Sequence, residues 1–165
     1  VISVIIPTHN SAAHLSRALA PLALAAMGGF VKEVIVADAG SGDATLALAE
    51  DSGCEIVRAD QGVTQWIAGL NAARGRWLLL LRPEKVLQPS WEEAALVFIR
   101  ENHMRMRAAS FARNGVWSRL RGARGEDGLL LSRGLYDALG GVRATDADEN
   151  GLIRRVGRWR IAYLG

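Results

Sequence analysis

Glu33-Val34-Ile35-Val36-Ala37-Asp38-Ala39-Gly40-Ser41-Gly42-Asp43-Ala44-Thr45 is the stretch on which the fold turns. Val34 to Ala37 is apolar and mostly β-branched, which suits a strand buried on both faces. The run stops at a carboxylate, Asp38. Small residues and two glycines follow, and an amphipathic run, Ala44 to Glu50, begins. A strand that ends at a carboxylate, turns through glycine and opens a helix puts that carboxylate at the carboxyl edge of a sheet. Open α/β folds bind ligands in that crevice. Ser41 or Asp43 is placed to cap the helix by accepting its free N–H groups. An ordinary βα turn with Asp43 as a cap fits the stretch equally well, so its partners elsewhere in the chain decide.

Outward from that stretch the same unit repeats. Ile2 to Ile6 reads as a buried strand closed by Pro7, with Thr8-His9-Asn10 as its turn. Asn10 or Ser11 caps a helix whose Ala12, Leu15, Ala18, Leu19 and Leu22 recur at helical spacing. The helix after Asp43 ends at Gly53. Glu55 to Arg58 is a third strand, and a helix from about Val63 to Arg74 stops at Gly75. Trp77 to Leu81 is a fourth strand, ending in Arg82-Pro83-Glu84-Lys85. Ser90-Trp91-Glu92-Glu93 has capping-box spacing, with a helix to about Arg100. Four strand–helix units in series predict a parallel sheet with right-handed crossovers. Beyond residue 100 the expected elements are a strand over Gly128–Leu131, a short helix over Ser132–Leu139, a helix over Asp146–Val156 and a last strand over Trp159–Leu164.

Composition bounds the chemistry. The 165 residues suffice for one domain with a substantial core, and 50% hydrophobic with 22% charged residues is globular. No apolar run reaches the length of a membrane span, and Val1 to Pro7 reads as a strand without a basic leader. Cys54 is the single cysteine, which excludes an internal disulfide and fits a reducing, cytoplasmic compartment; it reads as a small core residue. The net charge is +3, but Arg100, Arg105, Arg107, Arg113, Arg119, Arg121 and Arg124 share a stretch whose only acid is Glu101. That stretch, with Trp117, suits an acceptor phosphate or the anionic inner face of a membrane, as a peripheral contact. A solvated arginine-rich surface is the plainer alternative.

Several chemistries lack their signatures. Pro7-Thr8-His9-Asn10 is not the glycine-rich dinucleotide turn, and no phosphate-loop Gly-Lys-Ser/Thr occurs. His9, His14 and His103 have no nucleophile-elbow sequence beside them. No His/Cys cluster has zinc spacing.

The residues do resemble another family. Ser3 to Asn10 is similar to the opening strand and turn of family 2 glycosyltransferases of the GT-A fold. Val34 to Thr45 resembles that family's second strand and its D-x-x-S-x-D-x-T loop, and Leu70 to Leu81 the helix and strand before its D-x-D motif. Asp127-Gly128 to Gly140-Gly141 resembles the acceptor-side strand and helix. Asp146-Ala147-Asp148, ahead of Arg154, resembles the E-D-x-D motif of the catalytic helix. The likeness covers nearly the whole chain and is closest to small bacterial members.

That resemblance implies an α/β fold of GT-A type, a three-layer α/β/α sandwich with a mostly parallel central sheet. It implies one domain over residues 1–165, with a nucleotide-sugar-binding half (1–90) and an acceptor and catalytic half (91–165). The implied activity is inverting transfer of a sugar from a nucleotide-diphosphate sugar, such as a UDP-sugar, to an acceptor hydroxyl. The setting would be cell-envelope polysaccharide or glycolipid synthesis, with an acceptor sugar or lipid-linked phosphate as partner and no nucleic acid. Asp38 would accept the N3–H of a uracil-like base. Pro7, Thr8, Asn10, Asp43, Asn71 and Arg82 would line the nucleotide. Asp146 would be the general base, supported by Asp148. Glu84 would hold a divalent metal, manganese or magnesium.

Two departures stand out. Arg82-Pro83-Glu84 occupies the place of D-x-D, so a cation replaces the first carboxylate, with Lys85 a second cation beside it. Thr145 stands where the catalytic-helix motif has Glu. A catalytically degenerate relative, binding a nucleotide sugar, lipid head group or partner without transfer, is the alternative.

Overall fold

The computed structural model describes residues 1–103, 105–111, 127–143, 149–157 and 161–164. Among these, seven strands form one sheet in the order β3-β2-β1-β4-β6-β5-β7. The strands are β1 (Ile2–Thr8), β2 (Val31–Asp38), β3 (Glu55–Arg58), β4 (Trp77–Leu80), β5 (Ala108–Ser110), β6 (Leu129–Ser132) and β7 (Ile161–Tyr163). The helices are α1 (Ala12–Met27), α2 (Thr45–Asp51), α3 (Val63–Ala72), α4 (Trp91–Asn102), α5 (Arg133–Ala138) and α6 (Glu149–Val156). β1 pairs in parallel with β2 and β4, β2 with β3, and β5 with β7. β6 alone runs against its neighbours β4 and β5.

The alternation of side chains along the strands divides the core between two faces. Val4, Ile6, Val36, Leu79 and Leu130 meet α1, α2 and α4 through Leu15, Leu19, Ala49, Trp91 and Phe98. Ile5, Ile35, Leu78, Leu80 and Leu131 meet α3, α5 and α6 through Trp66, Leu70, Leu135, Leu152 and Val156. The result is the expected three-layer α/β/α sandwich. Both faces of β1, β2 and β4 are covered, which is why these segments read as unbroken apolar runs rather than alternating ones.

Four local expectations need correction. The helix after Gly62 ends at Ala72, because Ala73 is extended (φ −65°, ψ 136°) and releases the chain towards the sheet. Ser90 precedes α4 in a near-helical conformation (φ −84°, ψ 4°) and makes no side-chain cap bond, so the capping-box spacing is not used. β5 was not expected: Ala108–Ser110 is three small residues inside an arginine-rich stretch, and its only strand signal is tertiary pairing with β6 and β7. β2 is longer than expected, starting at Val31. The predicted Asp146–Val156 helix and Trp159–Leu164 strand are described over Glu149–Val156 and Ile161–Tyr163.

The amino edge of the sheet is locked by a polar cluster. The Ser3 hydroxyl donates to Glu33 and accepts the Gly75 N–H at 2.7 Å. Arg74 donates its backbone N–H to Glu33 at 2.6 Å and its side chain to Glu33 at 2.8 Å and Glu55 at 3.0 Å. Gly75 passes so close to β1 that a Cβ there would sit 2.6 Å from both the Ser3 nitrogen and its hydroxyl oxygen. Gly75→Ala must therefore push backbone apart, and should cost about 2–3 kcal/mol. Thermal denaturation checks this, and an unchanged melting temperature would show that the turn can back away freely.

Candidate active site

The chain reverses its direction of travel across the sheet between β1 and β4. α1 leads from β1 to β2 on one side, whereas α3 returns past β1 to β4 on the other. Crossovers on opposite faces leave a crevice beyond the carboxyl ends of β1 and β4, the usual ligand position in open α/β sheets. Here it is an open cleft of about 270 Å³, lined by Pro7, Thr8, His9 and Ser11 after β1, Gly62, Gln65 and Trp66 at the start of α3, and Arg82, Pro83 and Glu84 after β4.

Asp38 closes β2 one strand away, only 1% exposed. Its carboxylate accepts four hydrogen bonds: from Thr8 Oγ1 at 2.9 Å, Ser41 Oγ at 2.5 Å, Gly40 N at 2.9 Å and Ser41 N at 2.8 Å. Burial opposes its charge, but donation from Ser41, Thr8 and Gly40 outweighs this and holds the carboxyl below the usual range. Thr8 Oγ1 is thereby turned towards β2, and the two strand ends are joined.

The two following loops are laced together in the same way. Asn10 N donates to Ser41 Oγ at 2.9 Å, and Gly42 N to Asn10 Oδ1 at 2.8 Å. Asn10 sits at φ 51°, a left-handed conformation that Asn tolerates well. Asp43 serves two helices. Its Oδ1 accepts from Thr45 N at 3.0 Å and Thr45 Oγ1 at 2.5 Å, and its Oδ2 from Ala12 N, at the start of α1, at 3.1 Å. The Thr45 hydroxyl bonds, foremost, lower the Asp43 pKa. The D-x-x-S-x-D-x-T spacing thus builds a clasp: Asp38 shapes its own turn, Ser41 bridges to Asn10, and Asp43 with Thr45 caps the neighbouring helix.

Gln65 is the residue that sequence reasoning missed. It is buried, and its Nε2 donates to Thr8 O and Ala37 O, each at 2.8 Å, while its Oε1 accepts from Gly62 N at 3.0 Å. It pins α3 across the ends of β1 and β2 at the cleft floor. The signal was present: glutamine three residues after Gly62 has half the spacing of a capping box. Trp66 was likewise not singled out for the cleft, whereas His9, whose Nδ1 lies 3.0 Å from Ala39 O, belongs to the expected Pro7–Asn10 turn.

Of the expected site residues, the structure brings together Pro7, Thr8 and Arg82, expected at the nucleotide, and Glu84, expected at the metal, in the cleft, with Asp38 behind Thr8. Asn10 and Asp43 stand in the adjoining clasp. Asn71 does not join them; it is exposed near the other end of α3, towards the amino edge. Lys85 lines no part of the cleft, since its ammonium donates to the Phe111 carbonyl at 3.0 Å. Asp146, Asp148 and Thr145 lie outside the described residues, as do Arg113, Trp117, Arg119, Arg121 and Arg124.

Among the described residues the cleft offers a divalent cation a single carboxylate with a guanidinium in the same lining. Magnesium-type ions keep several waters and are held by one or two carboxylates together with substrate phosphates. Glu84 is the one carboxylate among the lining residues, Arg82 shares the cleft with it, and Asp38 has spent its acceptors on the chain. Among the described residues no three of His, Cys, Asp and Glu converge for a metal.

Comparison with known proteins follows from this geometry. Three solved structures share the fold. They are the mannosyltransferase PcManGT from Pyrobaculum calidifontis in complex with GDP-Man and Mn2+ (TM-score 0.77, 16% identity), S. aureus TarS 1–349 (0.74, 20%), and glucosyl-3-phosphoglycerate synthase from Mycobacterium tuberculosis with Mn2+, UDP and glucosyl-3-phosphoglycerate (0.72, 22%). Each covers 98–99% of this chain, which spans 53%, 57% and 68% of theirs. No curated protein matches at the sequence level. The sequence itself matches glycosyl transferase family 2 over residues 3–154, nearly its whole length. The chain is a member of glycosyl transferase family 2, with the GT-A fold.

Proposed function

We propose that the chain transfers a sugar from a nucleotide-diphosphate sugar to an acceptor hydroxyl with inversion, in envelope polysaccharide or glycolipid synthesis. The observation that carries this reading is the cleft at the β1–β4 reversal, lined by polar side chains from three chain segments, an arginine among them. Residues 1–90 form the donor half and 91–165 the acceptor and catalytic half. Pro7 and Thr8 line the base and ribose, and Asn10 and Asp43 hold that rim. Asp38 accepts the base N3–H. Its four acceptor positions are filled, so the base displaces one donor; the Ser41 hydroxyl, rotatable and half-exposed, is the one able to leave. Asp146 removes the acceptor proton, and Asp148 supports it.

A second reading has its own observation. Arg82 in place of a carboxylate, with Glu84 alone, also suits a relative that binds nucleotide sugar, a lipid head group or a partner without transfer. A panel of UDP- and GDP-sugars with sugar and lipid-phosphate acceptors tests the choice. Release of nucleoside diphosphate coupled to a glycosylated product supports transfer. Donor binding without product, for every pair, favours the second reading.

A further inference from the structure

We propose that this protein binds the donor's diphosphate without a divalent cation, and that the Arg82 guanidinium takes the metal's electrostatic place. The proposal rests on the reading of the cleft as the donor site. Its starting point is the mismatch between the cleft and a metal: one carboxylate, Glu84, beside a permanent cation. A dication entering there meets a like charge beside the one carboxylate of the lining. A diphosphate meets the opposite situation, because a guanidinium offers forked N–H donors matched to phosphate oxygens.

The backbone holds Arg82 where this requires. β4 ends on the Leu81 N–H bond to Ile5 O at 3.0 Å, and the next turn closes with Lys85 N on Arg82 O at 3.0 Å. Pro83 between them is buried, which limits the turn further. Arg82 therefore leaves the sheet from a braced position, half-buried, in the cleft lining that it shares with Pro7, Thr8 and His9. Lys85 is the other cation of the turn, and its bond to Phe111 O at 3.0 Å ties it outside the cleft. Arg82 is thus the charged group that the β4 turn contributes against a diphosphate, and Glu84 can orient its fork or an acceptor group rather than a metal.

Calorimetric titration of the full chain with UDP and with GDP, in EDTA and then with manganese, decides the matter. Binding in EDTA should be tightened by manganese less than about threefold. Arg82→Ala should weaken it roughly tenfold or more in EDTA, the scale of a lost charge-assisted bond. Arg82→Lys, which keeps charge but not the fork, should fall between. Circular dichroism of each variant confirms the fold. Arg82→Asp, restoring a carboxylate pair, should make binding require manganese. Wild-type binding that appears only with manganese, or that is unchanged in Arg82→Ala in EDTA, overturns the inference and leaves the donor site standing. No binding of either nucleotide under any condition overturns the donor-site reading, and the inference with it.

Discussion

Asp146→Asn is expected to slow sugar transfer by about 10²-fold or more, with nucleotide affinity unchanged. An acceptor hydroxyl attacking an anomeric carbon must lose its proton as the bond forms, and a positioned carboxylate is the group that takes it. Asp146 precedes α6, which starts at Glu149. By sequence pattern Asp146 is expected to open this helix, where the partial positive charge of the N-terminus would favour the ionised carboxylate that a base needs. Asparagine keeps the side-chain oxygen that can cap a helix, so the substitution separates base from cap. The check is turnover under a productive donor and acceptor, with calorimetry for the donor. Wild-type turnover in the variant would place the base elsewhere.

The second large effect is on stability. Asp38→Ala should destabilise the protein by about 3 kcal/mol, because it strands two hydroxyls and two N–H groups at once. At this chain length that corresponds to a fall in melting temperature of roughly 6–12 °C. Water reaches Gly40 and half-exposed Ser41, which keeps the loss below four full desolvation penalties. The pH dependence has a definite sign. The folded carboxyl is depressed, so its contribution is complete above the unfolded value near ~3.9 and is lost as pH falls through the lower folded value. The gap between wild type and variant should therefore be widest near neutrality and narrow in acid. A melting temperature within about 2 °C of wild type at neutral pH would show that the clasp holds without its central acceptor.

Much of this architecture could be read directly from residues. Val34–Ala37 and Trp77–Leu81 are strands because a two-faced sheet needs side chains that are apolar throughout, and nothing else explains such runs ending at Asp38 and Arg82. What could not be read is whatever depends on distant partners. Ala108–Ser110 has no strand signal of its own. Gln65 looks like any surface residue of a helix until β1 and β2 arrive to accept its amide. Asp43 looked like the cap of its own helix, and the structure gives half its acceptors to α1, 31 positions away. The motif residues were visible, but their mutual bonds were not, since those join loops that only the sheet brings together.

The reversed course of β6 has a topological consequence. β5 runs with β4 and stops at Ser110, while β6 runs the other way and starts at Leu129, paired with both Ser110 and Leu80. The chain thus leaves and rejoins the sheet at one rim, the one bearing the cleft, with the Phe111 N–H bonded to Gly128 O at 3.3 Å. Two anchors this close set a short span to be closed, and for a flexible connection the closure cost grows only logarithmically with length. Sheets wound entirely one way must carry each connection back along a face, where a change of length disturbs packing. This sheet instead brings two successive strand ends, Ser110 and Leu129, to one point on the rim that carries the cleft.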